Sequence, residues 1–284
     1  MGTLGRGGEV AGIALSWFLS RQVGRGGRAA SGAPAAAACS FLILEDAAIP
    51  NEFSRLYAIG DIHGRLDLLD LAVAAVERDV RLHGSNALTV TLGDYIDRGP
   101  ASRGVVERLA DNPFPTPYVA LKGNHEQMLA DFLENPTLGP SWRSQGGDET
   151  LRSYGVTPRL LMIGRADDDA AARLRAALPE KHRHFLRSLR TSFASGRYFF
   201  CHAGVRPGVP LDAQDDHDLM WIRGEFLRSE EDFGKIVVHG HTPVPVPEVL
   251  ANRINLDTGA FATGRLTCAV LDDSGCRFLP VAAG

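Results

Sequence analysis

From residue 54 onward, short apolar runs alternate with polar strings that carry glycine. Residues 56–59 run into Gly60-Asp61-Ile62-His63-Gly64, and residues 88–92 into Gly93-Asp94-Tyr95-Ile96-Asp97-Arg98-Gly99. Residues 118–121 pass through Lys122 into Gly123-Asn124-His125-Glu126. Residues 198–201 stop at His202-Ala203-Gly204, and residues 236–238 at His239-Gly240-His241-Thr242. Near-continuous apolar runs of this length read as buried strands. Between them, Leu69, Val73, Val76 and Val80 recur at helical spacing, and Leu129, Phe132 and Leu133 begin a second stripe. Residues 179–192 read as a third helix. The alternation predicts an α/β layered fold, in which ligands gather beyond the carboxyl ends of the strands. Each polar string occupies that position, so five loops distant in sequence are expected to meet at one site.

Two stretches fall outside this rhythm. Residues 256–271 read as a strand, a turn at Asp257-Thr258-Gly259-Ala260 and a second strand, with residues 277–281 as an edge strand. Residues 135–175 are broken by Pro136, Pro140, Gly146, Gly147 and Pro158 and carry the acidic run Asp167, Asp168, Asp169. They read as an irregular cap or insertion beside the site, with the acidic run as a solvated loop.

Composition narrows the function classes. A hydrophobic content of 44% and a net charge of -4 describe an ordinary globular chain without the positive field that nucleic-acid binding needs. Cys39, Cys201, Cys268 and Cys276 are scattered and form no CxxC pair, which suits reduced thiols in the cytoplasm. No apolar run reaches the length of about 18 residues that a membrane-spanning helix requires. Residues 10–19 are apolar, but Glu9 beside them and Arg21, Arg25 and Arg28 after them fit a secretory cleavage site badly. Residues 1–50 are therefore expected to be a disordered or misannotated leader, with a single catalytic domain over 54–284.

The five strings carry a consistent chemistry. Asp61 and His63, one residue apart where a strand opens into a loop, can face one ion, and Asp94 offers a carboxylate that can bridge two. Asn124, His202 and His241 add a neutral oxygen and two imidazoles. This mixture suits manganese, iron or zinc rather than calcium, which prefers oxygen ligands alone. Two such ions about 3.5–4 Å apart activate a bridging water and hold phosphate oxygens. Arg98 supplies a guanidinium whose geometry matches phosphate. His125 follows a proposed ligand directly and is a candidate general acid, with Asp97 to orient it. Arg223, in Trp221-Ile222-Arg223, is a candidate second clamp.

Taken in order, GDIHG, GDYIDRG, GNHE, HAG and GHT resemble the phosphoprotein phosphatase family of serine/threonine phosphatases, in its compact bacterial and phage branch, over about residues 54–272. The resemblance implies a metallophosphoesterase β-sandwich flanked by helices, with a dinuclear site at the strand ends. It implies that Asp61, His63 and Asp94 hold one metal and that Asp94, Asn124, His202 and His241 hold the other, with two divalent ions, manganese foremost and iron or zinc as alternatives. His125 is then the general acid oriented by Asp97, and Arg98 and Arg223 hold the phosphate. The family places its ligand directly before the threonine of the last string, so His241 is the expected ligand and His239 a structural residue. Lys122 stands where the family usually has arginine, and DTGA stands where the eukaryotic enzymes carry a SAPNY-type loop.

The remaining candidates have plainer readings. His83, His182, His184 and His217 are expected to be solvated, Cys201 to be a buried strand thiol, and Asp257 to make a turn or support the site. Trp142, Gln145, Gly146 and Gly147 are candidates for bordering the pocket and touching substrate. The expected activity is hydrolysis of phosphate monoesters, foremost phosphoserine and phosphothreonine in proteins, by in-line attack of a bridging metal hydroxide. Breadth toward phosphotyrosine is compatible with the same set. A symmetrical dinucleoside polyphosphate hydrolase is the competing enzyme, although such enzymes usually lack the aspartate that this chain has as Asp97. A catalytically silent phosphoprotein-binding module is the third reading, and it would require the loss of a ligand or clamp.

Overall fold

The computed structural model describes residues 53–157 and 166–282. The expected leader, Cys39 and Pro158 lie outside them. Two five-stranded sheets face each other. The first contains β1 (Arg55–Ile59), β2 (Ala87–Thr91), β3 (Tyr118–Ala120), β9 (Cys268–Asp272) and β10 (Gly275–Leu279), in the order β10-β9-β1-β2-β3. The second contains β4 (Ser192–Ser195), β5 (Tyr198–Cys201), β6 (Ile236–His239), β7 (Glu248–Val249) and β8 (Arg253–Asn255), in the order β4-β5-β6-β8-β7. In each sheet the three strands that feed the site or lie beside it run parallel, β1-β2-β3 and β5-β6-β8, so their carboxyl ends share one edge.

The apolar runs look continuous because both faces of each sheet are covered. Along β1, Tyr57 and Ile59 join the core under the helices, whereas Leu56 and Ala58 pack between the sheets. Along β5, Tyr198 and Phe200 point between the sheets, while Phe199 and Cys201 face the opposite side with Ile222 and Phe226. A period-two strand with both faces apolar has no polar position to interrupt the run. The helices α1 (Leu66–His83), α2 (Ser102–Ala110) and α3 (Asn124–Glu134) follow the first three strands and cover the outer face of the first sheet. The chain is thus a sandwich of mixed α/β type with helices outside, in agreement with the fold expected from sequence.

The 135–175 region departs from expectation. Its described part is mostly helical: α4 (Gly139–Trp142), a wide turn over Arg143–Gly147, α5 (Asp148–Ser153), then α6 (Ala166–Ala177). Gly146, at φ 107°, supplies the left-handed kink that joins α4 to α5. The acidic run is the first turn of α6, where carboxylates complement the helix dipole, and Asp167 also pairs with Arg143 at 3.2 Å. The third expected helix is shorter than predicted. It is α7 (Glu180–Ser188), and Ser192 already opens β4, because Phe193 has to reach Phe200 between the sheets. Nor is His182 solvated: it is fully buried, 2.8 Å from Tyr154 Oη and 2.5 Å from Glu107.

Candidate active site

All five motif loops leave the strand ends on one side, and main-chain hydrogen bonds tie the first to the second and the fourth to the fifth. Ile62 and His63 donate their N–H groups to Asp94 O (3.1 and 2.8 Å), and Gly64 N donates to Tyr95 O. Gly240 N donates to His202 O at 2.8 Å, joining the fourth and fifth loops. Gly240 must be glycine, since a Cβ there would collide with Asp61 Oδ1. Six non-glycine residues among those described have positive φ, and five of them are His63, Asp94, Asp97, Arg98 and His241. Backbone strain is therefore concentrated where candidate side chains turn inward, as at functional sites generally.

The six expected ligands lie together, each at most 5% exposed. His63, Asp94 and His125 form one group that could hold an ion, and Asp94, His202 and His241 form another, with Asp94 common to both. Asp94 lies 3.4 Å from His63 Nε2 on one side and 3.4 Å from His202 Nε2 on the other. Asn124 Oδ1 sits 2.9 Å from both His202 Nε2 and His241 Nδ1. Asp61 reaches the same centre, its carboxylate taking the His241 main-chain N–H at 3.1 Å. His239 is kept away: it is buried with its ring edge against Phe226, 4.9 Å between centroids.

The donor set suits cations. His63 Nδ1 lies 2.8 Å from Ile96 O and His202 Nδ1 2.9 Å from Leu92 O. A carbonyl accepts only, so it fixes the proton on Nδ1 of a neutral ring and aims an Nε2 lone pair into the site. Burial pushes His63 down to about 3 and His241 down to about 2, which keeps both imidazoles uncharged. Burial, with Asp257 close by, raises Asp61 well above the usual carboxylate range. Burial opposes a charge on His202, yet Asp94 and Asp61 carry it up to about 10. Carboxylates packed out of water thus demand positive charge at this spot, and divalent ions meet that demand.

Beside the ligands stands the expected acid pair. His125 Nδ1 lies 2.6 Å from Asp97 Oδ2, both residues being buried. Burial works against charge on His125, but Asp94 and Asp97 raise its pKa above the usual value. Arg98, half-buried, sets Nη2 3.1 Å from His125 Nε2 and its guanidinium 4.9 Å over the ring of Phe261. Arg223 is exposed and directs Nε to His241 Nε2 at 2.9 Å. Lys122 turns away to Gln127 Oε1, and Asp257 closes the Gly259 turn while lying buried beside Asp61.

Several participants were not singled out in the sequence as site residues. Glu126 is buried and accepts main-chain N–H groups from Gly123, Asp94 and Tyr95 at 2.8–2.9 Å, which fastens the second loop to the third. Its place as the third residue of α3, three after Gly123, is the one local signal that could have found it. Trp142, expected from the sequence to border the pocket, lies in the core. It is buried and donates Nε1–H to Asp97 Oδ2 at 2.8 Å. Gly146 and Gln145 contribute carbonyls to the main chain and side chain of Arg98, and Gly147 lies against the Trp142 ring. Phe261 is 38% exposed beside Arg98 and His63, and nothing in its sequence setting marks it.

Comparison with known proteins agrees with this architecture. A family model described as calcineurin-like phosphoesterase matches residues 54–269. The chain is 25% identical over 227 residues to the bis(5'-nucleosyl)-tetraphosphatase PrpE, asymmetrical, of Anoxybacillus flavithermus, covering 74% of this chain and 87% of that one. It is 28% identical over 222 residues to serine/threonine-protein phosphatase 1 of Salmonella typhimurium, covering 75% and 90%. Among solved structures, the cold-active protein-tyrosine phosphatase of a psychrophilic Shewanella superposes with a TM-score of 0.52 at 18% identity, over 82% of this chain and 83% of that one, a likeness of fold. With all five motif loops inside the matched span and their side chains gathered around Asp94, the chain belongs to the calcineurin-like phosphoesterase family and is a metallophosphoesterase, a hydrolase of phosphate esters.

Proposed function

We propose that this enzyme hydrolyses phosphate monoesters on proteins, foremost phosphoserine and phosphothreonine, with a manganese pair held by Asp61, His63, Asp94, Asn124, His202 and His241. Iron and zinc suit the same donors. The observation that carries the reading is the His125–Asp97 pair at 2.6 Å with Arg98 beside it, an acid and a clamp in reach of one phosphate. When bound, two divalent ions supply Lewis acidity that activates a water and neutralises phosphate oxygens.

The chain's own residues do the rest. Arg98 and Arg223 each rest on an imidazole Nε2, and a guanidinium has only donors, so those nitrogens present lone pairs in this state. An incoming phosphate, with acceptors on every free oxygen, draws both guanidiniums onto itself. That movement frees His125 Nε2 to take up a proton from solvent, a step that the neighbouring Asp94 and Asp97 favour. Asp97 keeps the Nδ1–H in place, so the ring presents Nε2 to the leaving oxygen and protonates it as the ester bond breaks. Phe261, beside the clamp, excludes water from one flank.

A second reading is favoured by a specific observation. Several relatives are named asymmetrical bis(5'-nucleosyl)-tetraphosphatases and others serine/threonine-protein phosphatases, at like identity. Side-by-side kcat/KM for phosphopeptides and diadenosine tetraphosphate decides between them. A preference for the dinucleotide would overturn the protein-phosphatase reading. Product analysis would then separate asymmetrical from symmetrical cleavage. A cytoplasmic setting is supported by the free thiols of Cys201, Cys268 and Cys276 and by the bacterial phosphatases among the relatives. Among the described residues no helix is long and apolar enough to cross a membrane.

A further inference from the structure

We propose that the α4–α5 segment is a positioning element for proton delivery, in which Trp142 and Thr150 hold the Asp97 carboxylate and, through it, the His125 ring. This rests on the reading of His125 as the general acid. Asp97 has no exposed surface, and side chains occupy both its oxygens. Oδ2 accepts from His125 Nδ1 at 2.6 Å and from Trp142 Nε1 at 2.8 Å. Oδ1 accepts from Thr150 Oγ1 at 2.6 Å. The Asp97 main-chain N–H, at φ 69°, donates to Thr150 Oγ1 at 2.9 Å, with Ser102 Oγ at 3.1 Å.

A core tryptophan would explain the burial of Trp142 but not its direction. Its ring is already packed, 4.7 Å from Phe132 between centroids and against Gly147, so the apolar contacts do not require Nε1 to meet a catalytic carboxylate. The same segment also fixes Arg98. Gly146 O accepts the Arg98 main-chain N–H at 3.1 Å, and a Cβ at Gly146 would lie 2.6 Å from that nitrogen. The end of α4 therefore presents the indole, the kink a carbonyl and the first turn of α5 a hydroxyl to the Asp97-Arg98 pair.

The consequence is a carboxylate with one orientation. With both oxygens bonded it cannot rotate about its last torsion, and the imidazole bonded to it keeps Nε2 on the leaving group. As the P–O bond breaks, its electron pair stays on the oxygen, which takes the proton from His125 Nε2. Removing either outer hydrogen bond frees the carboxylate and misaligns the ring. Outer partners of this kind affect rates by about 10–100-fold. The loss should scale with the leaving oxygen's need for a proton.

The test compares a phosphoserine peptide, whose alkoxide must be protonated, with 2,4-dinitrophenyl phosphate, whose phenolate leaves unaided. Both are assayed with manganese on the full chain. In Trp142→Phe and Thr150→Val, peptide kcat should fall about tenfold with KM unchanged, while dinitrophenyl phosphate turnover hardly changes. Thr150→Ser, which keeps the hydroxyl, should restore the peptide rate. In histidine-labelled protein, the strongly deshielded His125 Nδ1–H proton resonance should move upfield in Trp142→Phe and Thr150→Val, a readout independent of turnover. Equal losses on both substrates, or none, overturn the inference. If His125→Ala then still discriminates between the substrates, the acid reading stands without it. If His125→Ala does not discriminate either, both fall.

Discussion

Two kinds of support orient the imidazoles of this site. His63 and His202 lean on main-chain carbonyls, Ile96 O and Leu92 O, whereas His125 leans on a side chain that is itself held by Trp142 and Thr150. A main-chain carbonyl cannot be removed by side-chain substitution, so the proposed metal side is fixed once the strands and the loops that follow them form. The acid side hangs on side chains from a helical segment outside the sheets, and one substitution can loosen it. On the proposed assignment, ion binding would be built into the fold, and proton delivery would be adjustable from a distance.

The largest effects should come from the fixed side. Exhaustive chelation should abolish hydrolysis of p-nitrophenyl phosphate, and manganese should restore it. Asp94→Asn should stay inactive after manganese is added and bind less of it by elemental analysis, because both potential ion groups share that carboxylate. Full activity after chelation would break the comparison at its root. On the adjustable side, His125→Ala should lower kcat on a phosphoserine peptide by about 10²–10⁴-fold, the usual contribution of a general acid, while metal content stays normal. Metal loss in that variant would mean that the two sides are not separate.

Smaller effects sharpen the boundary. Glu126→Gln weakens buried bonds from three main-chain N–H groups and leaves one of its new amide hydrogens facing a donor. It should destabilise the fold by about 1.5–3 kcal/mol, seen as a lower Tm, since that carboxylate joins the loops on which both sides depend. Least of all, His239→Phe should change stability by only about 1 kcal/mol and leave metal content unaltered. Its Nε2 is buried without a hydrogen-bond partner and its ring already packs on Phe226. A drop in bound manganese there would place His239 nearer the ions than its geometry does.

Much of this was legible in the chain. The strands that precede the five loops fall where the apolar runs put them, because a strand covered on both faces records its burial in every residue. The candidate ligands sit in the glycine-bounded strings at those strand ends, and their chemistry is local to each string. The last string holds two histidines, and only the family resemblance, which puts the ligand directly before the threonine, favoured His241 over His239. The 135–175 region was opaque because prolines and glycines that signal irregular chain in isolation serve here as helix starts and as one left-handed kink.

Sequence by itself determined the layered α/β character, the five loops and the kinds of donor they carry, since periodicity and residue chemistry are properties of neighbouring positions. Tertiary structure alone decided that Trp142 and Thr150 close on Asp97 across 45 and 53 positions, that Glu126 ties two loops, and that His182 is buried against Tyr154. Such hydrogen bonds pair groups whose separation along the chain follows no period. They exist because a buried polar atom must find a partner wherever the packing of helices on sheets brings one within reach.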